Sequence, residues 1–224
     1  MVTTRKIFNH INTFQFPDVT RIDTDNGRFY TNGIEKYPSV TTILSAIKGD
    51  GLKKWEKRVG PEVANMEKVQ ASNRGSALHN LCEKYIANDP MYSKGHMPIN
   101  MINFKKIKPI LNDKVDNIVA IEQKMLSHGL QCGGTSDLIA EFDGKLSIID
   151  FKTAKKRKQK SWLKSYLTQA AIYSYMFEEI HNAKIELNVL IFALDNSKIP
   201  QVVESNPGDY IKYYDEYRAA YDKQ

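Results

Sequence analysis

The chain has little cysteine: Cys82 and Cys132 stand alone among 224 residues, with no CxxC pair. Two thiols cannot build a four-thiolate zinc site or an iron–sulfur cluster within one chain, and reduced buried thiols are expected in preference to a single disulfide. No run approaches the 18 or more apolar residues of a membrane span. The first 30 residues lack the apolar block and small-residue cleavage site of a signal peptide, so an intracellular, cytoplasmic location without membrane association is expected. Internal repeats and low-complexity tracts are also missing. What is present is an ordinary globular composition, 42% hydrophobic and 26% charged, which excludes a disordered or fibrous chain.

The 32 basic residues exceed the 26 acidic ones, giving +6 and pointing to an anionic partner. The excess is clustered. Residues 152–164 carry seven basic side chains and no acid, and smaller groups occur at Lys53, Lys54, Lys57, Arg58 and at Lys105, Lys106, Lys108.

Residues 1–27 lack sustained periodicity and read as a loosely attached arm or a short strand. The turn-rich Thr31-Asn32-Gly33-Ile34 implies a hairpin, after which Ser39 is placed to cap a short helix starting at Val40. Residues 52–113 favour about four helices, broken at Gly60-Pro61, at Ser72-Asn73 and over residues 88–98. The apolar stripe Leu78, Leu81, Cys82, Tyr85, Ile86 makes residues 74–87 the best amphipathic helix, with core packing as its role. Three strand-like runs follow at 117–127, 134–142 and 145–153, then a helix over 161–181, strands near 185–194 and 198–205, and a Tyr-rich helix over 209–221. This order implies an α/β fold around one central sheet. The expected division is an N-terminal arm (1–27) and one domain (28–224), with a mainly helical cap over 28–113 and a sheet core over 114–224.

Asp143-Gly144 is a favoured type I′ hairpin pair. A hairpin centred there pairs 142 with 145 and, step by step, Asp137 with Asp150. Side chains so paired have Cβ atoms roughly 4.5–5.5 Å apart. Two carboxylates at that distance repel by about 3 kcal/mol at an effective dielectric of ~20. Three arrangements relieve this: one aspartate keeps a proton, a basic side chain sits between them, or a divalent cation bridges both. Lys152, two residues beyond Asp150, shares its face, and Glu122 on the preceding run is a candidate third carboxylate. A solvated Asp–Asp–Lys triad and an outward-facing Glu122 fit the same spacing. Apolar Ile148, Ile149 and Phe151 on both faces of the strand weigh toward burial, where uncompensated charge is costly.

The segment GGTSDLIAEFDGKLSIIDFKTAKK resembles the core of the PD-(D/E)XK nuclease superfamily, with Ser136-Asp137 where the eponymous Pro-Asp stands. Flanking segments are similar to motifs of its RecB-like exonuclease branch, which includes a mitochondrial genome-maintenance exonuclease and many phage exonucleases. These are YPSVTTIL (37–44), RGSALH (74–79), Glu122 and QAAIY (169–173). The resemblance implies a restriction-endonuclease-like mixed sheet flanked by helices, with an N-terminal helical arch. It implies Asp137, Asp150, the Phe151 carbonyl, His79 and Glu122 as ligands of one or two Mg²⁺ or Mn²⁺ ions. Lys152, with the carboxylates of Asp137, Asp150 and Glu122, would carry catalysis. Ser39, Thr41, Arg74, Thr153, Lys155, Lys156, Gln169 and Tyr173 would contact nucleic acid, and exposed Trp55, Trp162 or Tyr92 could stack on bases. The implied activity is a divalent-metal-dependent DNA exonuclease acting on single strands or free ends in replication, recombination or repair, with no oligomer required. A duplex-end exonuclease, a flap or junction endonuclease, and a non-catalytic nucleic-acid-binding module are the alternatives.

Overall fold

The computed structural model describes residues 5–25, 27–47 and 50–224, the side chains of residues 50–53 excepted, so the Lys53 expectation lies outside it. The N-terminal region builds more than an arm. β1 (Thr20–Thr24), β2 (Gly27–Thr31) and β3 (Lys36–Pro38) form an antiparallel sheet in that order. The expected hairpin is its second half, where the Asn32 Oδ1 accepts from the backbone N–H groups of Ile34 and Glu35 and closes the turn. Residues ahead of β1 do not hang free. Phe8 is buried edge-on against Tyr85, and His10 forms a parallel bridge with Ile118.

α1 (Val40–Ser45) is capped as its sequence predicts, the Ser39 hydroxyl accepting from the Thr42 N–H at 3.0 Å. α2 (Asp50–Val59) ends at Gly60, whose φ of +82° suits glycine, and Pro61 opens α3 (Pro61–Ile86). The expected break at Ser72-Asn73 is not there: α3 runs through it for 26 residues. Each of those residues costs only about half a kcal/mol in a helix interior. The stripe from Leu78 to Ile86 is fully buried downstream, which outweighs that cost. Three helices therefore occupy the stretch among the described residues, α4 (Pro98–Lys114) being the third.

β4 (Val115–Ser127), β5 (Cys132–Phe142), β6 (Lys145–Ala154), β7 (Leu187–Leu194) and β8 (Gln201–Ser205) form a mixed five-stranded sheet in sequential order. Every neighbouring pair is antiparallel except β6 and β7, whose parallel connection runs through α5 (Lys164–His181). The closing Tyr-rich segment is two helices, α6 (Gly208–Ile211) and α7 (Tyr214–Tyr221). One face of the sheet packs on α3 and α4 through residues such as Leu138, Ile149 and Phe104, and the other on α1, α5 and α7 through Ile139, Ile148 and Phe177. This is the mixed, helix-flanked sheet expected of a restriction-endonuclease-like α/β fold. Cys82 and Cys132 are both buried and unpaired.

Candidate active site

The local chemistry of one hairpin sets the site. Asp143 and Gly144 have φ of +50° and +76°, as a type I′ turn requires, and the ladder then runs from Phe142↔Lys145 to Leu138↔Ile149. The ladder ends there, one step short of the expected pairing of Asp137 with Asp150. There the Asp137 carboxylate enters the ladder itself, its Oδ2 accepting from the Phe151 N–H at 2.8 Å. On the other side of β5, the pairs Ile121↔Leu138 and Gln123↔Ser136 bracket Glu122 opposite Asp137. Glu122 has φ of +48°, a left-handed conformation that costs a side-chain-bearing residue about 1–2 kcal/mol.

α3 delivers His79 from the opposite layer. Its Nδ1 lies 3.3 Å from Asp137 Oδ1 and 4.0 Å from Glu122 Oε1, and its ring stands edge-on to Phe151. Ligand atoms of His79, Glu122 and Asp137 all lie within 4.8 Å of one another, a grouping that could hold a metal ion. Asp150 is placed differently. It is 2% exposed, and the Lys152 ammonium sits 2.7 Å from its Oδ1 and 2.6 Å from its Oδ2. Only the Oδ1 contact has hydrogen-bond geometry, leaving Oδ2 a buried acceptor without a hydrogen-bond donor among the described residues.

The charges answer to this packing. Burial opposes the charge of His79, but the hydrogen bond and charge of Asp137 prevail and raise it to about 9. Burial likewise works against ionisation of Asp137, and His79 and Lys152 overcome it, holding that carboxyl below its usual range. Burial and the Asp137 charge push Glu122 up to about 7. Burial, reinforced by Asp137, raises Asp150 to about 6 despite Lys152. Burial also disfavours the Lys152 ammonium, yet Asp150 and Asp137 keep it above its ordinary value and protonated. Two carboxyls held back from ionisation and a third held ionised, with the imidazole of His79 among them, form a cluster that a divalent cation would relieve.

The resulting cleft has a volume of about 530 Å³. Of the sequence-predicted residues, His79, Glu122, Asp137, Lys152, Ser39, Thr41, Gln169 and Tyr173 line it, with Gln169 Nε2 donating to the Tyr173 hydroxyl at 3.1 Å. Asp150 and Phe151 lie behind that lining. Lys155 points elsewhere, bonded at 2.5 Å to Glu67 on α3, and Arg74, Thr153 and Lys156 are not among the lining residues. Tyr92 packs between Tyr85 and Phe104 beneath the Arg5 guanidinium, a structural role, whereas Trp162 is exposed. Sequence reasoning missed Arg21, Arg28, Tyr30, Asn80 and Glu83, which also line the cleft. Glu83 was within reach: it follows His79 by four residues and so shares its helical face.

A model of the PD-(D/E)XK nuclease superfamily matches residues 101–223, more than half of the chain, and spans both aspartates and Lys152. The chain belongs to that superfamily. The crystal structure of SSO0001 is similar at 13% identity over 63% of this chain and 70% of its own, with a TM-score of 0.30. No match to a curated protein reaches significance. Nucleases of the PD-(D/E)XK superfamily use divalent metals and act on nucleic acid, and membership assigns metal-dependent nuclease chemistry to this chain at that level. Among the described residues no helix is long and apolar enough to cross a membrane.

Proposed function

We propose that the protein is a divalent-metal-dependent DNA exonuclease that hydrolyses phosphodiester bonds on single strands or at free ends, in the manner of the RecB-like branch. The observation that carries this reading is the convergence of His79, Glu122 and Asp137 beside the Asp150–Lys152 pair in one cleft. His79, Glu122, Asp137, Asp150 and the Phe151 carbonyl would hold Mg²⁺ or Mn²⁺. The oxygen-rich set suits either ion. Such an ion would supply neutralisation of charge on the phosphate and on the leaving oxygen.

The chain's own groups do the rest. Lys152, kept protonated by its carboxylate neighbours, is a hydrogen-bond donor and not a base, so it orients the attacking water and stabilises developing negative charge. Glu122, grouped with His79 and Asp137, serves with its carboxylate as a ligand. Gln169 and Tyr173, joined on one face of α5, contact the strand beside the reacting phosphate, and Ser39 and Thr41 do so from the other side. The resemblance to phage exonucleases supports a cytoplasmic role in recombination or repair.

Hydrolysis of end-labelled linear and of circular single-stranded DNA, with Mg²⁺, Mn²⁺ or EDTA, tests this for wild type beside Lys152→Ala. Metal-dependent loss of label from linear DNA by wild type alone is expected. Cutting of circles would make the enzyme an endonuclease, and binding without hydrolysis in either metal would leave a binding module.

A further inference from the structure

The N-terminal sheet forms the wall of the cleft facing the carboxylates, and its register decides which side chains look into it. Arg21 pairs with Tyr30 and Asp23 with Arg28 across β1 and β2. Cross-strand partners share a face, as do residues two apart, so Arg21, Asp23, Arg28 and Tyr30 all project from one side. Tyr30 fixes that side. It is buried on β5 over Gly133, where even a Cβ would come within 2.3 Å of it, and its hydroxyl is 2.9 Å from the Thr135 hydroxyl, two residues from Asp137. Arg21 and Arg28 consequently line the same cleft as His79, Asp137 and Lys152.

Both guanidinium groups are occupied by one carboxylate. Arg21 reaches Asp23 Oδ2 through Nε at 2.9 Å and Nη2 at 2.8 Å, and Arg28 reaches Asp23 Oδ1 through Nε at 3.0 Å. The arginine side chains are 40% and 39% exposed and that of Asp23 60%. Exposed pairs of this kind contribute little to stability, so packing gives no reason for two arginines to share one acid at the rim of an acid-rich cleft. A phosphodiester gives one: its two non-bridging oxygens match the guanidinium fork, and two forks in one place match consecutive phosphates.

We propose that Arg21 and Arg28 clamp two consecutive backbone phosphates on one side of the scissile one, with Asp23 standing in for phosphate while no DNA is bound. This rests on the nuclease reading of the site and adds a substrate-positioning pair from outside the segment that the superfamily model covers. The test is binding of a fluorescein-labelled oligothymidylate in EDTA across a NaCl series, for wild type, Arg21→Ala, Arg28→Ala, the double alanine variant, the double lysine variant and Asp23→Ala. Each lost phosphate contact should flatten the slope of log affinity against log salt by about 0.7, so the double alanine variant loses about 1.4. The lysine variant should keep the wild-type slope, and Asp23→Ala should tighten binding severalfold without flattening it.

An unchanged slope in the double alanine variant, or binding weakened by Asp23→Ala as much as by the double variant, would overturn the clamp; the latter would mark the triad as scaffolding. Failure of wild type both to bind the oligonucleotide and to degrade it with Mn²⁺ would instead sink the nuclease reading itself. Each single alanine variant reads out half the slope change, which keeps the test decisive if the double variant does not fold.

Discussion

The two walls of the cleft are built on different principles. The sheet wall carries Glu122, Asp137, Asp150 and Lys152 on three successive strands, where the two-residue turn between β5 and β6 places Asp137, Asp150 and Lys152 and the irregular β4–β5 ladder adds Glu122. The opposite wall brings His79 from α3 and Arg21, Arg28 and Tyr30 from the N-terminal sheet, across separations of tens of residues, with Tyr30 and Ser39 meeting β5 at Gly133. The chemistry thus sits where geometry is local and hard to perturb, and the positioning groups sit where it depends on packing between layers. Damage to the first wall should abolish turnover, and damage to the second should weaken substrate and metal engagement while the reacting groups stay in place.

The largest effect is expected at Lys152. Its removal leaves the 2%-exposed Asp150 carboxylate without its cation, a loss of about 3–5 kcal/mol if the acid stays ionised. Cleavage should fall by about 10³-fold or more with the lost donor. Adding Asp150→Asn to Lys152→Ala separates the two consequences: urea unfolding should recover most of the stability, because no buried charge remains, while hydrolysis of end-labelled DNA stays absent. A double variant no more stable than Lys152→Ala would show that the buried charge is not what Lys152 offsets.

Next in size is Gly133→Ala, which attacks the second wall alone. The added methyl would lie 2.3 Å from Tyr30 Cβ and 2.8 Å from its Cγ, atoms too near the backbone to swing away. β2 must shift, at a cost of about 1–3 kcal/mol. KM for DNA should rise severalfold with a smaller change in kcat. A matching loss in kcat alone would mean that the N-terminal sheet also aligns the carboxylates.

The same contrast explains what could be read from sequence. The turn at Asp143-Gly144 fixes the register from Phe142↔Lys145 to Leu138↔Ile149, and counting on from there brought Asp137, Asp150 and Lys152 to one place. The buried stripe of α3 was equally legible, because helical periodicity survives whatever precedes it. What escaped has non-local causes. Ser72-Asn73 looked like a break because local propensity ignores the burial that carries α3 through it. Residues 1–27 left an arm and a short strand as equal readings, because the five-residue, largely exposed β1 has no apolar alternation to decide between them. Capture of Asp150 by Lys152 also lay beyond counting, since spacing puts three groups on one face without saying which two will pair.

The smallest expected effect is also the one that tests whether the carboxylate wall holds strain. Burial and the charge of Asp137 raise the Glu122 carboxyl to about 7, so the folded chain prefers it neutral. Between the unfolded value near 4.5 and the folded value, the native state binds a proton that the unfolded state releases, and stability therefore falls as pH rises through that window. Above it the ionised acid is a standing cost. Glu122→Gln keeps the neutral shape, and because the side chain is 38% exposed the gain should be discounted to about 1–2 kcal/mol at pH 8, vanishing at pH 4. Urea unfolding in EDTA at the two pH values measures it. Mn²⁺ should reverse the order, stabilising wild type more than the glutamine variant, since an ion that binds only the native state adds stability in proportion to its affinity. If Glu122→Gln were destabilising at pH 8 without metal, the glutamate would be a satisfied partner of His79, and the left-handed backbone at that position would need a cause other than holding a carboxylate toward an ion.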